Sequence, residues 1–259
     1  MTNQKTVLYL LVAALAMVAA VFGALRFSGM MGGEDVPAVA MNKADVEKIV
    51  RNYLLENPEV IFEAVDAMKS KEESQRLVKM KDKAKAHQTA LYREPEPLIG
   101  GNPKGDITIV EFFDYRCPYC RKVKKTVADL LNQDGNIKFV LKEFPILSPE
   151  SEMAAQVAIA AAAQGKYWDV HMAFMGAEDL AGERIFQLAK EAGADIERIK
   201  VELKNPKITK RIAETQALAG AIGIDATPTF FIGDEPFTGA LTLDELKKAV
   251  AAARKAKPS

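Results

Sequence analysis

Hydrophobic and polar positions change their period along the chain, and each change marks a segment. Val7 to Leu25 is a run of 19 residues without a charge, bounded by Lys5 and Arg26. As a helix it would be about 28 Å long, close to the hydrocarbon thickness of a bilayer. Gly23-Ala24-Leu25-Arg26 offers no small-x-small cleavage site, and Ala38-Val39-Ala40 lies too far downstream for one. Residues 1–27 therefore read as an uncleaved membrane anchor in preference to a cleaved signal. The single charges on either side do not fix its orientation. Residues 28–41, rich in Gly and Met, read as a flexible tether.

From residue 42 the period becomes helical. Asn42 is placed to cap a helix with Asp45 three residues on, and Val46, Ile49, Val50, Tyr53 and Leu54 form one apolar face. Asn57-Pro58 predicts a break and a new start. Val60, Ile61, Ala64, Val65 and Met68 then make a second stripe. Beyond Lys69 the helix is charged, with Leu77 and Met80 as its few apolar residues. Residues 42–93 thus form a helical arm. It is either a spacer or lid on the main body, or an oligomerisation element, because an apolar stripe on an extended arm has to be covered. A proline-rich joint, Glu94-Pro95-Glu96-Pro97, separates it from a body spanning 94–259.

The body opens with an apolar run at 107–113, a helix at 118–132 and a second run at 137–143. This is a βαβ unit with parallel strands and a right-handed crossover. From about 150 to 221 the period is helical throughout, with helices near 154–163, 167–175, 182–192, 195–204 and 206–221. Strand signals return at 229–232 and 236–238 around a turn at Gly233-Asp234, and a helix at 242–253 closes the chain. A βαβ half and a ββα half therefore flank an inserted helical block.

Composition narrows the chemistry. Hydrophobic residues make up 49% of the chain and charged residues 27%, enough for one packed domain and an appendage. Lys+Arg and Asp+Glu both number 35, so no global field points to nucleic acid as a partner. Two cysteines occur in all, Cys117-Pro118-Tyr119-Cys120, directly after the first strand. A Cys-x-x-Cys at a strand-to-helix junction suits dithiol/disulfide exchange. Unpaired N–H groups and the positive end of the helix dipole favour a thiolate at the first cysteine. The second, one turn later, can attack a mixed disulfide formed by the first. A zinc half-site is the competing reading, but zinc takes four ligands and the chain adds only His87 and His171. From a different class, a membrane-tethered binding module with a merely structural disulfide remains open.

This order of elements resembles the thioredoxin fold with the helical insertion of the DsbA family, over residues 98–255. Three features carry the resemblance: Val110-Glu-Phe-Phe-Asp-Tyr-Arg-Cys-Pro-Tyr-Cys120, Phe144-Pro145 ahead of the insertion, and Thr227-Pro228-Thr229-Phe-Phe231. The arm further resembles the branch related to the copper-sensitivity suppressor protein ScsC, whose members oligomerise through such an arm and act as disulfide isomerases. The resemblance implies an α/β, thioredoxin-like fold and an extracytoplasmic thiol:disulfide oxidoreductase, or an oligomeric isomerase. It implies Cys117 as nucleophile, Cys120 as resolving thiol, and Pro228 as a cis-proline whose loop, with Thr227, Pro118 and Tyr119, meets the substrate.

Glu111 is a carboxylate on an otherwise apolar strand and costly to bury without a task. Burial would raise its pKa and suit it to relay the proton of Cys120. Tyr119 brings no positive charge to the motif, where DsbA itself has a histidine; Arg121 and Lys122 lie next to it. No cofactor or metal is implied. The expected partners are cysteine-containing clients, a membrane or periplasmic redox partner that resets the dithiol, the membrane through residues 7–25, and further copies of the chain. The expected location is the bacterial periplasm, anchored in the inner membrane, or free there if the leader is cleaved. His87 reads as a surface residue and His171, near Trp168 and Phe174, as a core or rim residue. Gly100 to Gly105 reads as a turn, without the Gly-Lys-Ser/Thr of a phosphate loop.

Overall fold

A computed structural model describes residues 42–93 and 98–256. The expected anchor, tether and proline-rich joint lie outside these residues. The chain divides into two compact units, residues 1–65 and 66–259.

The described part of the first unit is helical. Helix α1 (Lys43–Glu56) starts where the sequence predicts: the Asn42 side chain accepts from the Asp45 N–H. Asn57 ends it, and α2 (Glu59–Ala86) begins after Pro58. No residue of α1 is buried, and Val46, Ile49, Val50, Tyr53 and Leu55 are all exposed. Val46, Val50, Leu54, Leu55 and Ile61 line an apolar groove of about 510 Å³.

The second unit is built on a five-stranded sheet. Its strands are β1 (Ile99–Gly101), β2 (Ile107–Phe113), β3 (Ile137–Glu143), β4 (Thr229–Ile232) and β5 (Glu235–Thr238), in the order β1-β3-β2-β4-β5. β2 and β3 pair in parallel with Glu111 opposite Leu141, and α4 (Pro118–Gln133) provides the crossover between them. The other pairings, β1 with β3, β2 with β4 and β4 with β5, are antiparallel. Central strands buried on both faces read as unbroken apolar runs, which is why β2 and β3 were legible.

The period-2 alternation of β2 divides the core. Ile107, Ile109 and Phe113 belong to one cluster with Val123, Val127 and Leu130 of α4 and with the inserted helices. These are α5 (Pro149–Ala162), α6 (Tyr167–Gly176), α7 (Arg184–Glu191), α8 (Ile196–Glu202) and α9 (Pro206–Ile222). The closing helix α10 (Leu243–Ala256) joins the same face through Leu246 and Val250. Val110 and Phe112 point to the opposite face, against Val140, Phe231, Leu218 and Ile222.

Two features depart from the expectation. Met80 and Ala84 of the charged helix, with Leu91 of the short helix α3 (Gln88–Tyr92), are buried in that second cluster. Glu73 accepts from the Thr238 hydroxyl at 2.7 Å, Arg76 reaches Asp225, and Lys81 pairs with Glu235. Residues from Asp66 onward therefore share one compact unit with the sheet. The second departure is β1, in a stretch expected as a turn. A Cβ on Gly100 would lie 2.4 Å from the Trp168 ring, so only glycine lets that indole pack on the strand.

Candidate functional site

The carboxyl end of β2 is where the chemistry-bearing side chains meet. Asp114 follows the strand, and the Cys117 N–H donates to its carbonyl oxygen, turning the chain into α4. Cys117 is the N-cap residue, in extended backbone conformation, and Pro118 occupies the first turn. That position needs no N–H donor, so proline fits without loss of a helical bond. The second cysteine lies three residues further along the helix. Both are free thiols, and both are buried.

Their acidities are driven apart. Cys117 is lowered to about 5, first by the hydrogen bond from the Cys120 thiol. The Thr227 hydroxyl and the N–H groups of Cys120 and Tyr119 add to this against the opposing effect of burial. Cys120 is pushed well above an ordinary thiol by burial, by giving its hydrogen bond to Cys117, and by the charge of Glu111. One sulfur is thus held as thiolate and the other as thiol across neutral pH.

Thr227 and Pro228 come to the site from the loop ahead of β4. The Thr227–Pro228 peptide bond is cis. The Thr227 carbonyl oxygen accepts from the Cys117 thiol at 3.2 Å. That contact favours the protonated sulfur, while the threonine hydroxyl favours the thiolate. The Pro228 carbonyl is taken by the Gly239 N–H at 2.9 Å.

Glu111 lies on the face of β2 covered by α4, between Ile109 and Phe113, and is 3% exposed. Its Oε1 is buried without a hydrogen-bond partner among the described residues. Burial, and then the charge on Cys117, push its pKa up to about 8. A cavity of about 10 Å³ is shared by Glu111, Cys120, Lys124 and His171.

The expected residues Glu111, Cys117, Cys120, Pro118 and Thr227 are therefore brought together, with Pro228 in the adjoining loop. Tyr119 is 61% exposed and faces outward from the motif. His171 is a core residue, and His87 is half-buried ahead of α3, not on the open surface. Among the described residues no group of three or more His, Cys, Asp or Glu is placed to hold a metal.

The sequence reading missed Asp114. Its carboxylate is 1% exposed and accepts from the Arg116, Ile146 and Leu147 N–H groups at 2.7, 2.9 and 3.0 Å, and from the Ser151 hydroxyl at 2.7 Å. It ties the loop after β3, and the start of α5, to the turn that presents Cys117. A carboxylate closing an apolar strand three residues before a cysteine was the available signal. Lys124, one turn beyond Cys120 on the same helix face, was missed for want of any pattern.

The family is decided by matches to both parts of the chain. A thioredoxin family model matches residues 93–252, and the model of the copper resistance protein ScsC N-terminal domain matches residues 42–75. The chain belongs to the thioredoxin family, and its arm is similar to the ScsC N-terminal domain. A thioredoxin-like oxidoreductase from Silicibacter pomeroyi DSS-3 is 40% identical, covering 65% of this chain and 98% of that one with a TM-score of 0.62. The thiol-disulfide exchange protein alpha-DsbA2 from Wolbachia pipientis is 29% identical, covering 69% of this chain and 97% of that one, with a TM-score of 0.64. Among curated relatives, the Na(+)/H(+) antiporter NhaA 3 of Salinispora tropica is 29% identical over 158 residues. That match takes in 60% of this chain but only 24% of the antiporter, so the chain spans about a quarter of the curated relatives' length.

Proposed function

We propose that this chain exchanges disulfides with folding proteins outside the cytoplasm through its Cys-Pro-Tyr-Cys motif. The Cys117 thiolate attacks one sulfur of a client disulfide. A Cys117–client bond forms, and the other client sulfur leaves as a thiolate. Glu111 then takes the proton of Cys120, whose thiolate attacks Cys117. The Cys117–Cys120 bond forms, the Cys117–client bond breaks, and the client leaves as a dithiol. Run backwards from the disulfide form, the same steps oxidise a client, and a partner thiol or disulfide must then reset the pair. The observation that carries the reading is geometric: two free thiols one helical turn apart at the start of α4, the first 3.2 Å from the Thr227 carbonyl and the second sharing a cavity with Glu111, whose buried Oε1 has no partner among the described residues.

Thr227, Pro228, Pro118 and Tyr119 form the client-facing rim in this reading. Its support is the 3.2 Å approach of the Thr227 carbonyl to Cys117, which puts the loop backbone within reach of any segment joined to that sulfur. An oxidising compartment such as the periplasm is where such a pair persists. The uncharged run 7–25 would hold the body at the inner membrane. Among the described residues no helix is long and apolar enough to cross a membrane, and the run lies outside them.

A second reading is favoured by the arm. The exposed apolar face of α1 and the ScsC-type match over 42–75 support self-association, and several active sites around one misfolded client suit isomerisation. Refolding of a reduced client and of a scrambled one, side by side, tests both. Activity on neither substrate overturns the proposal, and activity on the reduced client alone removes the isomerase reading.

A further inference from the structure

His171 is the one histidine of the core, and the exchange steps above leave it unused. It sits on α6, 4% exposed, with its ring stacked on Trp168 at 5.5 Å and on Tyr167 at 6.0 Å. Its Nδ1 lies 3.3 Å from the Tyr115 hydroxyl. That hydroxyl donates its single proton to Glu143 Oε1 at 2.8 Å, and the Tyr167 hydroxyl donates to the same oxygen at 2.9 Å. Toward His171 the Tyr115 oxygen can therefore only accept. The proton of the neutral imidazole must be on Nδ1, and Nε2 carries a lone pair.

The same side chain forms a wall of the cavity shared with Glu111, Cys120 and Lys124. Its volume of about 10 Å³ is close to that of a single water. The orphaned Glu111 Oε1 and the other polar groups of the wall supply the two to four partners that a buried water takes. We propose that His171 is a positioning residue for the resolving step, its unprotonated Nε2 fixing one cavity water that hydrogen-bonds Glu111. With one water proton on Nε2, the other is aimed at the Glu111 carboxylate before it takes the proton of Cys120. When Glu111 has taken the proton of Cys120, its own O–H donates to the same water. The water thus serves both states of the base without moving, and no proton leaves His171.

The groups facing the imidazole agree with this. Cys120 and Lys124 come from α4, Glu111 from β2, Tyr115 from the turn after it, Glu143 from β3 and Tyr167 from α6 itself. Burial, then the charge of Lys124, lower His171 to about 3, so it stays neutral wherever the enzyme works. The inference rests on Glu111 being the base for Cys120, and its test separates the two claims.

In the full chain, His171→Asn keeps a donor at the Nδ1 position for Tyr115 but removes the acceptor at Nε2. His171→Gln does the reverse. Asn should slow release of a preformed Cys117 mixed disulfide at pH 7 by roughly tenfold, part of the about 10²–10⁴ that a general base supplies. Gln should restore release to within about twofold of the wild type, and Asn should move the pH midpoint of release upward as Glu111 loses a solvating partner. A role confined to bracing the tyrosines predicts the opposite order, which overturns the inference, as do equal rates for the two variants. If Glu111→Gln itself leaves release unchanged, the base assignment falls and the inference with it. The tautomer is read independently of activity and of variant folding, by nitrogen NMR on the wild-type chain. An unprotonated Nε2 is expected, and a protonated one contradicts the proposal.

Discussion

The thiol of Cys117 lies 3.2 Å from the carbonyl oxygen of Thr227, across 110 residues of sequence. The threonine also offers its hydroxyl to the same sulfur and so helps to hold Cys117 at about 5. Thr227→Val keeps the shape of the side chain and the carbonyl but removes the hydroxyl donor. Hydrogen bonds to charged groups contribute about 1.5–3 kcal/mol, so the Cys117 pKa should rise by about one unit or more. Thiolate absorbance during a pH titration of the reduced protein checks this. An unmoved titration would mean that the helix N–H groups and Cys120 hold the charge without Thr227.

Glu111 gives the fold a pH dependence of known sign. Its pKa is 4.5 unfolded and about 8 folded, so the neutral form is favoured by folding. The associated stability is complete below pH 4.5 and is lost as pH rises through 8. Cys117 runs the other way: its pKa falls from 9.0 to about 5, so its contribution is complete above 9 and is lost as pH falls through 5. In the disulfide form Cys117 no longer titrates, and the burial of Glu111 remains. Urea midpoints of the oxidised wild type should therefore fall relative to oxidised Glu111→Gln between pH 5 and 8, whereas a constant difference would place Glu111 in contact with solvent.

Asp114 organises the surroundings of the motif through four accepted hydrogen bonds. Asp114→Ala leaves the Arg116, Ile146 and Leu147 N–H groups and the Ser151 hydroxyl without their partner. At about 1–3 kcal/mol for each donor that stays dry, and with some reaching water, a loss of roughly 3 kcal/mol is expected. Asp114→Asn keeps one acceptor oxygen and should recover part of it. Denaturant unfolding of the two variants measures the difference, and a neutral alanine variant would deny Asp114 this role.

Much of this architecture was legible because its elements are buried on both faces or strongly capped. β2, β3 and β4 announce themselves as apolar runs, α1 begins at the Asn42 cap, and α9 begins at the Asn205 cap followed by Pro206. β1 was hidden because Ile99-Gly100-Gly101 has no alternation, its glycines answering to Trp168 at a distant position. The burial of Met80 and Ala84 was hidden for a similar reason: two apolar positions on a charged helix do not reveal that a sheet face lies against them. In the site, the cysteines were fixed by spacing. Asp114 and His171 depend on groups contributed by the loop after β3 and by α6, which no local pattern connects to the motif.

That packing changes how the arm is tested. Deleting residues 1–65 removes α1 with its exposed Val46, Ile49, Val50 and Tyr53, and spares every residue of the second cluster. The shortened chain should be monomeric by light scattering, still exchange disulfides, and isomerise a scrambled client less well. Deleting 1–92 also strips Met80 and Leu91 from the core, where such side chains contribute about 2–5 kcal/mol each, and should leave the body markedly less stable. A full-length chain that scatters as a monomer would make α1 a spacer.

The central claim is the division of labour between the two sulfurs, and mixed-disulfide trapping tests it most directly. In the full chain, Cys120→Ala leaves Cys117 able to attack but with nothing to resolve the product. Incubated with a disulfide-bearing client and separated without reductant, this variant should accumulate a covalent complex through Cys117. Cys117→Ala, whose remaining thiol is buried and held protonated, should accumulate little. Equal trapping by both variants, or none by either, would contradict the account.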